Sequence, residues 1–233
     1  MDDILTIQNI SKHFEGIKAV ENVSLSLSCG SVIGLYGENG AGKTTLFNLI
    51  SGFEIPDSGH IKFHDDDITK ISVLRRAQMG MGRLFQNPRI FPEVTVIDNL
   101  MAASKHTTGH HIFNYLIKQQ KIKNEEENNR FKANQILEQI TLSPKSKFKA
   151  FELSVGERKL LSLGCLLMNG STFVLLDELS SGLNNSMISK LNELILELNK
   201  MGMTFFLIEH DQSVLKRTCS QVWKMQNGEI IKE

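Results

Sequence analysis

The clearest feature of the hydrophobic pattern is a set of three short apolar segments without alternation: Val32–Tyr36, Thr172–Leu176 and Thr204–Ile208. Strands that are covered on both faces have this character. Between the last two segments, Met187–Lys200 carries apolar residues at helical spacing and leaves Asn, Glu and Lys for the other face. The pattern therefore predicts a strand–helix–strand unit and a buried, largely parallel sheet.

The two ends of the chain have a different pattern, in which apolar and polar residues partly alternate as in strands with one exposed face. Two such segments are joined by Asn227-Gly228, a dipeptide typical of a tight hairpin turn. We expect all of these segments to form an antiparallel sheet that flanks the parallel one. They are Ile4–Ile10, Val23–Leu27, His60–Phe63, Val222–Met225 and Glu229–Lys232.

The middle of the chain, about residues 92–144, is polar and has a helical pattern. We expect one α/β domain over residues 1–233, with 91–159 as a helical subdomain and 1–90 plus 160–233 as the core and antiparallel sheet. A chain of 233 residues is long enough for one core with an appended lobe. The apolar residues predicted to share one face of a helix in this subdomain are Phe131, Ile136, Leu137 and Ile140.

Composition narrows the possible partners and location. The 26 Lys and Arg residues equal the 26 Asp and Glu residues, so no overall basic excess indicates a nucleic acid or an anionic membrane surface. Three widely spaced cysteines fit a reducing compartment, with the cytoplasm as the default, and nothing resembles a signal peptide. The longest apolar stretch, around residues 160–168, is far shorter than the roughly 20 residues of a membrane span, so we expect no transmembrane segment.

The segment after the first buried strand has the pattern of a phosphate-binding loop. Gly37-x-x-x-x-Gly42-Lys43-Thr44 is followed by an apolar stretch that should open a helix. Glycines allow consecutive backbone N–H groups to converge on phosphate oxygens, and the helix N-terminus adds a partial positive charge. Lys43 would hold the β- and γ-phosphates and Thr44 would ligate Mg²⁺, so this segment predicts a nucleoside triphosphate site.

Two carboxylates, Asp177 and Glu178, directly follow the second buried strand. In an open parallel sheet, ligands bind at the carboxyl ends of the strands. Asp177 would then face Mg²⁺, usually through water, and Glu178 would polarise the attacking water as a general base. The structural alternative is a helix cap beside a surface charge.

A third group of polar residues, Glu209-His210-Asp211, follows the third buried strand and should reach the same edge of the sheet. His210 could there hydrogen-bond the γ-phosphate and the attacking water. Asp211 suits the cap of the following helix.

The segment Ser154-Val155-Gly156-Glu157 has two interpretations. Ser-x-x-Glu is a capping box, and that structural role is sufficient by itself. A helix that starts with Ser and Gly is also a good anion-binding site. The spacing alone leaves both open.

In this order and over nearly the whole chain, these segments resemble the ATP-binding subunits of ABC transporters. Leu153–Glu157 resembles the ABC signature, Phe85-Gln86-Asn87 the Q-loop, Ser181–Asn184 the D-loop and His210 the switch histidine. The resemblance implies a P-loop NTPase (RecA-like) core with a parallel sheet, a flanking antiparallel β-subdomain and an inserted α-helical subdomain. It also implies an ATPase with ATP and Mg²⁺ as its cofactors.

The resemblance further implies a head-to-tail dimer, in which each ATP lies between one subunit's phosphate loop and the other subunit's signature. The capped helix would then point Ser154, Gly156 and Glu157 at the partner's γ-phosphate. Gln86 would contact Mg²⁺ and the attacking water and link the chemistry to the helical lobe.

Adenine binding is also implied by the resemblance. Phe14 matches the aromatic platform on which adenine stacks, and Val20 would form the other side of that pocket. The implied nucleotide-binding residues are Phe14, Val20, Asn39, Gly40, Ala41, Gly42, Lys43, Thr44 and Thr45. The implied catalytic residues are Glu178, His210 and Gln86, and the implied metal-site residues are Thr44, Gln86 and Asp177.

Within the family, several stretches resemble the ATPases of branched-chain amino acid importers. They are residues 40–53, 83–96, 182–184 and 208–211. Four residues depart from the common motifs: Val155 replaces Gly, Glu157 replaces Gln, Leu179 replaces Pro and Asn184 replaces Asp. Glu in the signature also occurs in lipopolysaccharide-export ATPases, which are the second candidate. None of these departures removes the lysine, a metal ligand or the base, so we expect hydrolysis.

The partners implied are membrane permease subunits and a second ATPase subunit, identical or similar, with no nucleic acid. The implied location is cytoplasmic, peripheral on the inner face of the cell membrane. A soluble ABC protein of translation or DNA repair is an alternative, but the second cassette or long coiled coil of such proteins is missing from this sequence. A small-molecule P-loop kinase would leave the signature and His210 without a role.

Overall fold

Helices and strands account for most of the computed structural model, which describes residues 2–87, 89–104, 119–209 and 212–232. The strands are β1 (Asp3–Phe14), β2 (Ile17–Ser28), β3 (Val32–Tyr36), β4 (Ser58–Phe63), β5 (Asp66–Asp67), β6 (Met81–Leu84), β7 (Phe173–Asp177), β8 (Thr204–Ile208), β9 (Gln221–Gln226) and β10 (Glu229–Lys232). The helices are α1 (Lys43–Ser51), α2 (Val73–Gln78), α3 (Val96–Ala102), α4 (Gln119–Gln139), α5 (Val155–Met168), α6 (Asn185–Lys200) and α7 (Gln212–Thr218). Within the described ranges, no helix combines the length and the apolar character that a membrane span needs.

The chain divides into two compact units. The first unit comprises Met1–Gln86 and Thr172–Glu233, and the second comprises Asn87–Ser171. One sheet of the first unit is antiparallel, with the strand order β2-β1-β4-β5, as the alternating pattern predicts. In β2, for example, Val23, Leu25 and Leu27 are buried, whereas Ser24 and Ser26 between them are exposed. This period of two places one face on the core and the other in solvent.

The other sheet of the first unit has the order β10-β9-β3-β8-β7-β6. Strands β3, β8 and β7 are neighbours and parallel, and every residue of β7 and β8 is buried. This confirms the buried parallel sheet and the helix, α6, between β7 and β8. Because parallel strands end at the same edge, the residues after β3, β7 and β8 are brought together there.

The predicted hairpin is present as β9 and β10, with Asn227 and Gly228 in the turn at φ 51° and 80°. Its assignment to the antiparallel sheet is wrong, because β9 pairs in parallel with β3 and the hairpin extends the other sheet. Trp223 and Met225 of β9 are buried in the same core as Leu35 of β3. Alternation shows only that one face of a strand is buried, and it does not show which strand lies beside it.

The second unit is helical. A Cβ on Gly164 of α5 would lie 2.8 Å from Ile140 Cδ1 and 3.1 Å from Leu100 Cδ2, so α5 approaches its neighbours closely at this glycine. Ile136, Leu137 and Ile140 are buried as expected, but Phe131 is 66% exposed and does not share their face. The expected subdomain, 91–159, would have ended inside α5, whereas the unit contains the whole of this helix because α5 packs on α3 and the end of α4.

Candidate nucleotide site

The phosphate-binding loop connects β3 to α1 and packs against backbone on both sides. A Cβ on Gly37 would lie 2.2 Å from Met225 O, and one on Gly42 would lie 2.1 Å from Ala19 O, so neither position has room for a side chain. Gly42 also has φ 103°, which favours glycine, and it is the N-cap of α1. The helix therefore starts without a capping side chain, and its first N–H groups can receive an anion.

Lys43 lies over this loop. Its ammonium donates to Gly37 O at 2.8 Å and to Glu38 O at 2.9 Å, and the residue is 6% exposed. Burial lowers the pKa of Lys43, while the carboxylates of Glu178 and Asp177 act in the opposite direction. Lys43 and the two predicted carboxylates are therefore close enough to interact electrostatically. Thr44, next to Lys43, is exposed.

Asp177 is held by an arginine that the sequence reasoning missed. Arg83 of β6 donates from Nη2 to Asp177 Oδ2 at 2.9 Å and from Nη1 to Asn48 Oδ1 at 2.7 Å and Ser51 Oγ at 3.0 Å. Its guanidinium also lies 4.8 Å from the ring centroid of Phe85. A charged residue inside a strand that leads directly into Phe85-Gln86 could have suggested a role in the site. Nothing local in the sequence shows, however, that the Arg83 side chain reaches Asp177.

Glu178 and Gln86, both predicted catalytic residues, are hydrogen-bonded to each other. Gln86 Nε2 donates to Glu178 Oε2 at 2.8 Å and lies 3.4 Å from Ser181 Oγ. Glu178 has φ 49°, a left-handed backbone conformation that is uncommon for a residue other than glycine. The hydrogen bond from Gln86 holds the Glu178 carboxylate beside the end of β7.

A second missed residue is Glu209, at the end of β8. Its carboxylate accepts from Ser180 N at 2.9 Å and from Ser180 Oγ at 2.5 Å. From its position after the third buried strand, Glu209 was expected at the ligand edge of the sheet, but no role for it was predicted. The next residues, His210 and Asp211, lie outside the described residues, so the role of His210 stays a prediction.

The adenine pocket predicted from Phe14 and Val20 needs one correction. Phe14, at the end of β1, is 41% exposed, and Lys12 Nζ lies 5.4 Å from its ring centroid. A partly exposed ring of this kind can stack on a base. Val20, however, is completely buried in the core of the first unit. It does not follow the alternation of Val23, Leu25 and Leu27, because the pairing of β2 with β1 shifts register between Val20 and Val23, where Asn22 has φ 47°. Val20 does not offer a surface to a ligand.

The signature segment, in the second unit, begins helix α5 with a complete capping box. Ser154 Oγ accepts from Glu157 N at 3.3 Å, and Glu157 Oε2 accepts from Ser154 N at 2.9 Å. Lys145 Nζ donates to Glu157 Oε1 at 2.7 Å. Burial raises the pKa of Glu157, but the hydrogen bonds from Lys145 and Ser154 outweigh this and lower the pKa below its ordinary value. The charge of the unusual signature glutamate is thus balanced by Lys145, while Ser154 stays exposed and Gly156 is buried.

The donor set at the sheet edge fits a magnesium ion. Thr44 would supply a hydroxyl, Asp177 a carboxylate and Gln86 an amide oxygen, and Mg²⁺ prefers such oxygen donors together with phosphate and water. The narrow glycine loop beside them has the form of a phosphate cradle.

The sequence and the fold are similar to those of known proteins. A family model described as ABC transporter matches residues 20–181. A probable branched-chain amino acid transport ATP-binding protein of Methanocaldococcus jannaschii is 36% identical over 231 residues, which cover 99% of this chain and 89% of that protein. A lipopolysaccharide export system ATP-binding protein of Haemophilus influenzae is 32% identical over 228 residues, which cover 98% of this chain and 89% of that protein. A crystal structure of the ADP conformation of an ATP-binding cassette of an ABC transporter has a TM-score of 0.86 at 35% identity, covering 99% of this chain and 90% of that one.

Proposed function

The chain belongs to the ABC transporter family as one of its ATP-hydrolysing, ATP-binding subunits, and from this premise we propose that it energises a separate membrane permease. The observation that carries the proposal is the hydrogen bond between Gln86 and Glu178 beside the phosphate loop. Gln86 is the last residue of the first unit, and the helical unit begins at the next residue. A change at the catalytic carboxylate can therefore pass through one side chain to the start of the helical unit.

Each residue of the site has a proposed role in hydrolysis. The N–H groups of the phosphate loop and Lys43 hold the phosphates, and Phe14 stacks on adenine. Thr44, Asp177 and Gln86 would hold Mg²⁺, and the bound ion would neutralise charge on the phosphates. Glu178 accepts the proton of the attacking water, and His210 hydrogen-bonds the γ-phosphate. Asn39, Gly40, Ala41 and Thr45 complete the contacts to the nucleotide.

A second ATPase subunit is part of this proposal. In the closed dimer, Ser154, Gly156 and Glu157 of one subunit contact the ATP held by the phosphate loop of the other. Closure on ATP drives the permease, and hydrolysis resets it. The exposed Ser154 at a capped helix start is the observation that supports this arrangement.

For the cargo, we propose uptake of branched-chain amino acids or similar small solutes, with the ATPase on the inner face of the cell membrane. The M. jannaschii relative, named as a branched-chain amino acid transport protein, supports this cargo, whereas the H. influenzae relative supports lipopolysaccharide export as the second candidate. A soluble ABC ATPase without a transport role has no supporting observation in the described structure. Purifying the chain with its native membrane partner, then measuring ATP-driven leucine uptake in proteoliposomes, distinguishes the first two.

The decisive experiment for the ATPase site is Glu178→Gln. Because the amide cannot take the proton of water, we expect turnover to fall by about 10²- to 10⁴-fold while Mg–ATP binding is retained. The variant should also accumulate an ATP-dependent dimer, which size-exclusion chromatography with light scattering detects. Glu193→Gln, at an exposed position of α6, is the matched control and should behave as wild type. Turnover near the wild-type rate in Glu178→Gln would show that another group is the base.

A further inference from the structure

The loop that carries Glu178 has an unfavourable backbone conformation at its first residue. Residues other than glycine rarely adopt the left-handed region, and Glu178 is there at φ 49°. Such a conformation persists only where the surrounding structure holds it. One such contact is the hydrogen bond from Glu178 N to Ile208 O, at 3.0 Å, which ties the start of the loop to the end of β8.

Ser180, two residues further along the loop, is tied to the next residue of the same strand end. Glu209 accepts from both the N–H and the hydroxyl of Ser180, and Glu209 is only 2% exposed. Hydrogen bonds to an ionised acceptor are about twice as strong as those between neutral groups. Glu178 and Ser180 are thus held by two consecutive residues, the last residue of β8 and the one that follows it.

We propose that Glu209 is a positioning residue for ATP hydrolysis, which holds the loop so that Glu178 and Ser181 both face Gln86. The proposal rests on the proposed function, in which Glu178 is the base. Gln86 Nε2 donates to Glu178 Oε2 at 2.8 Å and lies 3.4 Å from Ser181 Oγ. These two acceptors flank Leu179 and Ser180, so a shift of Ser180 moves both of them relative to Gln86.

The Glu209 carboxylate can hold Ser180 through two hydrogen bonds. Its two oxygens accept the two Ser180 donors at the same time, one each. Glutamine offers one acceptor oxygen, and its amide must face the other donor unless the serine hydroxyl rotates. Alanine leaves both Ser180 donors without this acceptor and frees the loop.

The test compares Glu209→Ala, Glu209→Gln and Ser180→Ala with the double variant Glu209→Ala/Ser180→Ala. We expect kcat of Glu209→Ala to fall by about 10- to 100-fold, since a misplacement of about 1 Å can cost 10²-fold. KM for ATP and the Kd of a fluorescent ATP analogue should stay within about threefold, because the phosphate loop is unchanged. Ser180→Ala keeps its backbone donor and Glu209→Gln keeps one acceptor oxygen, so kcat of these two variants should fall less than kcat of Glu209→Ala. The double variant should be no slower than Glu209→Ala, because the two substitutions remove the same contact, between Glu209 and Ser180.

Glu197→Gln, on helix α6 and exposed, is the control and should keep the wild-type kcat. A role in stability alone would lower the melting temperature of Glu209→Ala but leave kcat unchanged well below that temperature, and this result overturns the proposal. If Glu209→Ala does not fold, unchanged kcat in both Ser180→Ala and Glu209→Gln overturns it instead. If wild type fails to hydrolyse ATP, or Glu178→Gln keeps full turnover, the proposed function has failed rather than this inference.

Discussion

At the scale of single residues, Arg83 joins three parts of the first unit. It pairs with Asp177 at the end of β7, binds Asn48 and Ser51 of α1, and lies against the ring of Phe85. The Arg83 and Asp177 side chains are 6% and 13% exposed. An ion pair of this kind offers little net stabilisation over apolar residues, but removing one partner is costly because a charge stays behind.

We therefore expect Arg83→Met to lower the free energy of unfolding by about 3 kcal/mol, because the Asp177 carboxylate loses its counter-charge. Adding Asp177→Asn to this variant should recover at least half of the loss, since the amide needs no counter-charge. Urea unfolding at pH 7 without nucleotide measures the free energy of unfolding of the single and the double variant. If the double variant is less stable than Arg83→Met, the ion pair is not the source of the loss.

At the scale of elements, the C-terminal end of α1 is closed by a buried arginine of α2. Burial lowers the pKa of Arg76 to about 10, so it remains charged at neutral pH. Its guanidinium binds the last carbonyls of α1 and the turn before α2, and so fixes the helix whose N-terminus forms the phosphate site. The acceptors are Leu49 O, Ile50 O, Ile68 O, Thr69 O and Ile71 O.

Replacing Arg76 by Met should lower the free energy of unfolding by about 3 kcal/mol or more, because several buried carbonyls lose their donor. Arg76→Lys should lower the free energy of unfolding by nearly as much, since an ammonium group cannot reproduce the planar set of five donors of a guanidinium. Arg75→Met, at the exposed neighbouring position, should change stability by less than about 0.5 kcal/mol. Chemical denaturation of the three variants provides the comparison, and a fully stable Arg76→Lys protein would contradict this role.

At the scale of the whole molecule, we propose that a second subunit completes the site. The phosphate loop and carboxylates lie in the first unit, and the signature helix lies in the second. The capping box and the anion-binding role of Ser154 are compatible, because the box uses the serine side chain while the exposed helix start can still face a ligand.

Ser154→Phe should therefore reduce ATP hydrolysis by at least about tenfold while the Kd of ATP for the monomer stays unchanged, since the bulky ring would obstruct the dimer interface. The loss of a helix cap costs about 1 kcal/mol by itself. Thr95→Ala, which removes the cap of α3 in the same unit, controls for that loss and should keep its ATPase rate. A wild-type rate in Ser154→Phe would contradict the proposed trans contact.

Much of the fold followed from local pattern. The buried strands β3, β7 and β8 and the helix α6 were predicted within about two residues of their observed bounds, because unbroken apolar runs and helical spacing are properties of neighbouring residues. The four-residue strand β6 was missed because it is too short to show a period. Phe131 was misplaced because its spacing from Ile136 does not return to the same helical face.

The phosphate loop, the two carboxylates after a buried strand and the capping box could be predicted from the sequence, because each depends on residues that are close along the chain. The three-dimensional packing was needed to show that the hairpin joins the parallel sheet and that Val20 is buried. It was also needed to show that Arg83 binds Asp177 and that Glu209 binds Ser180. Those contacts join residues 94 and 29 positions apart. Strand order sets such distances, and a one-dimensional pattern of polar and apolar residues does not contain strand order.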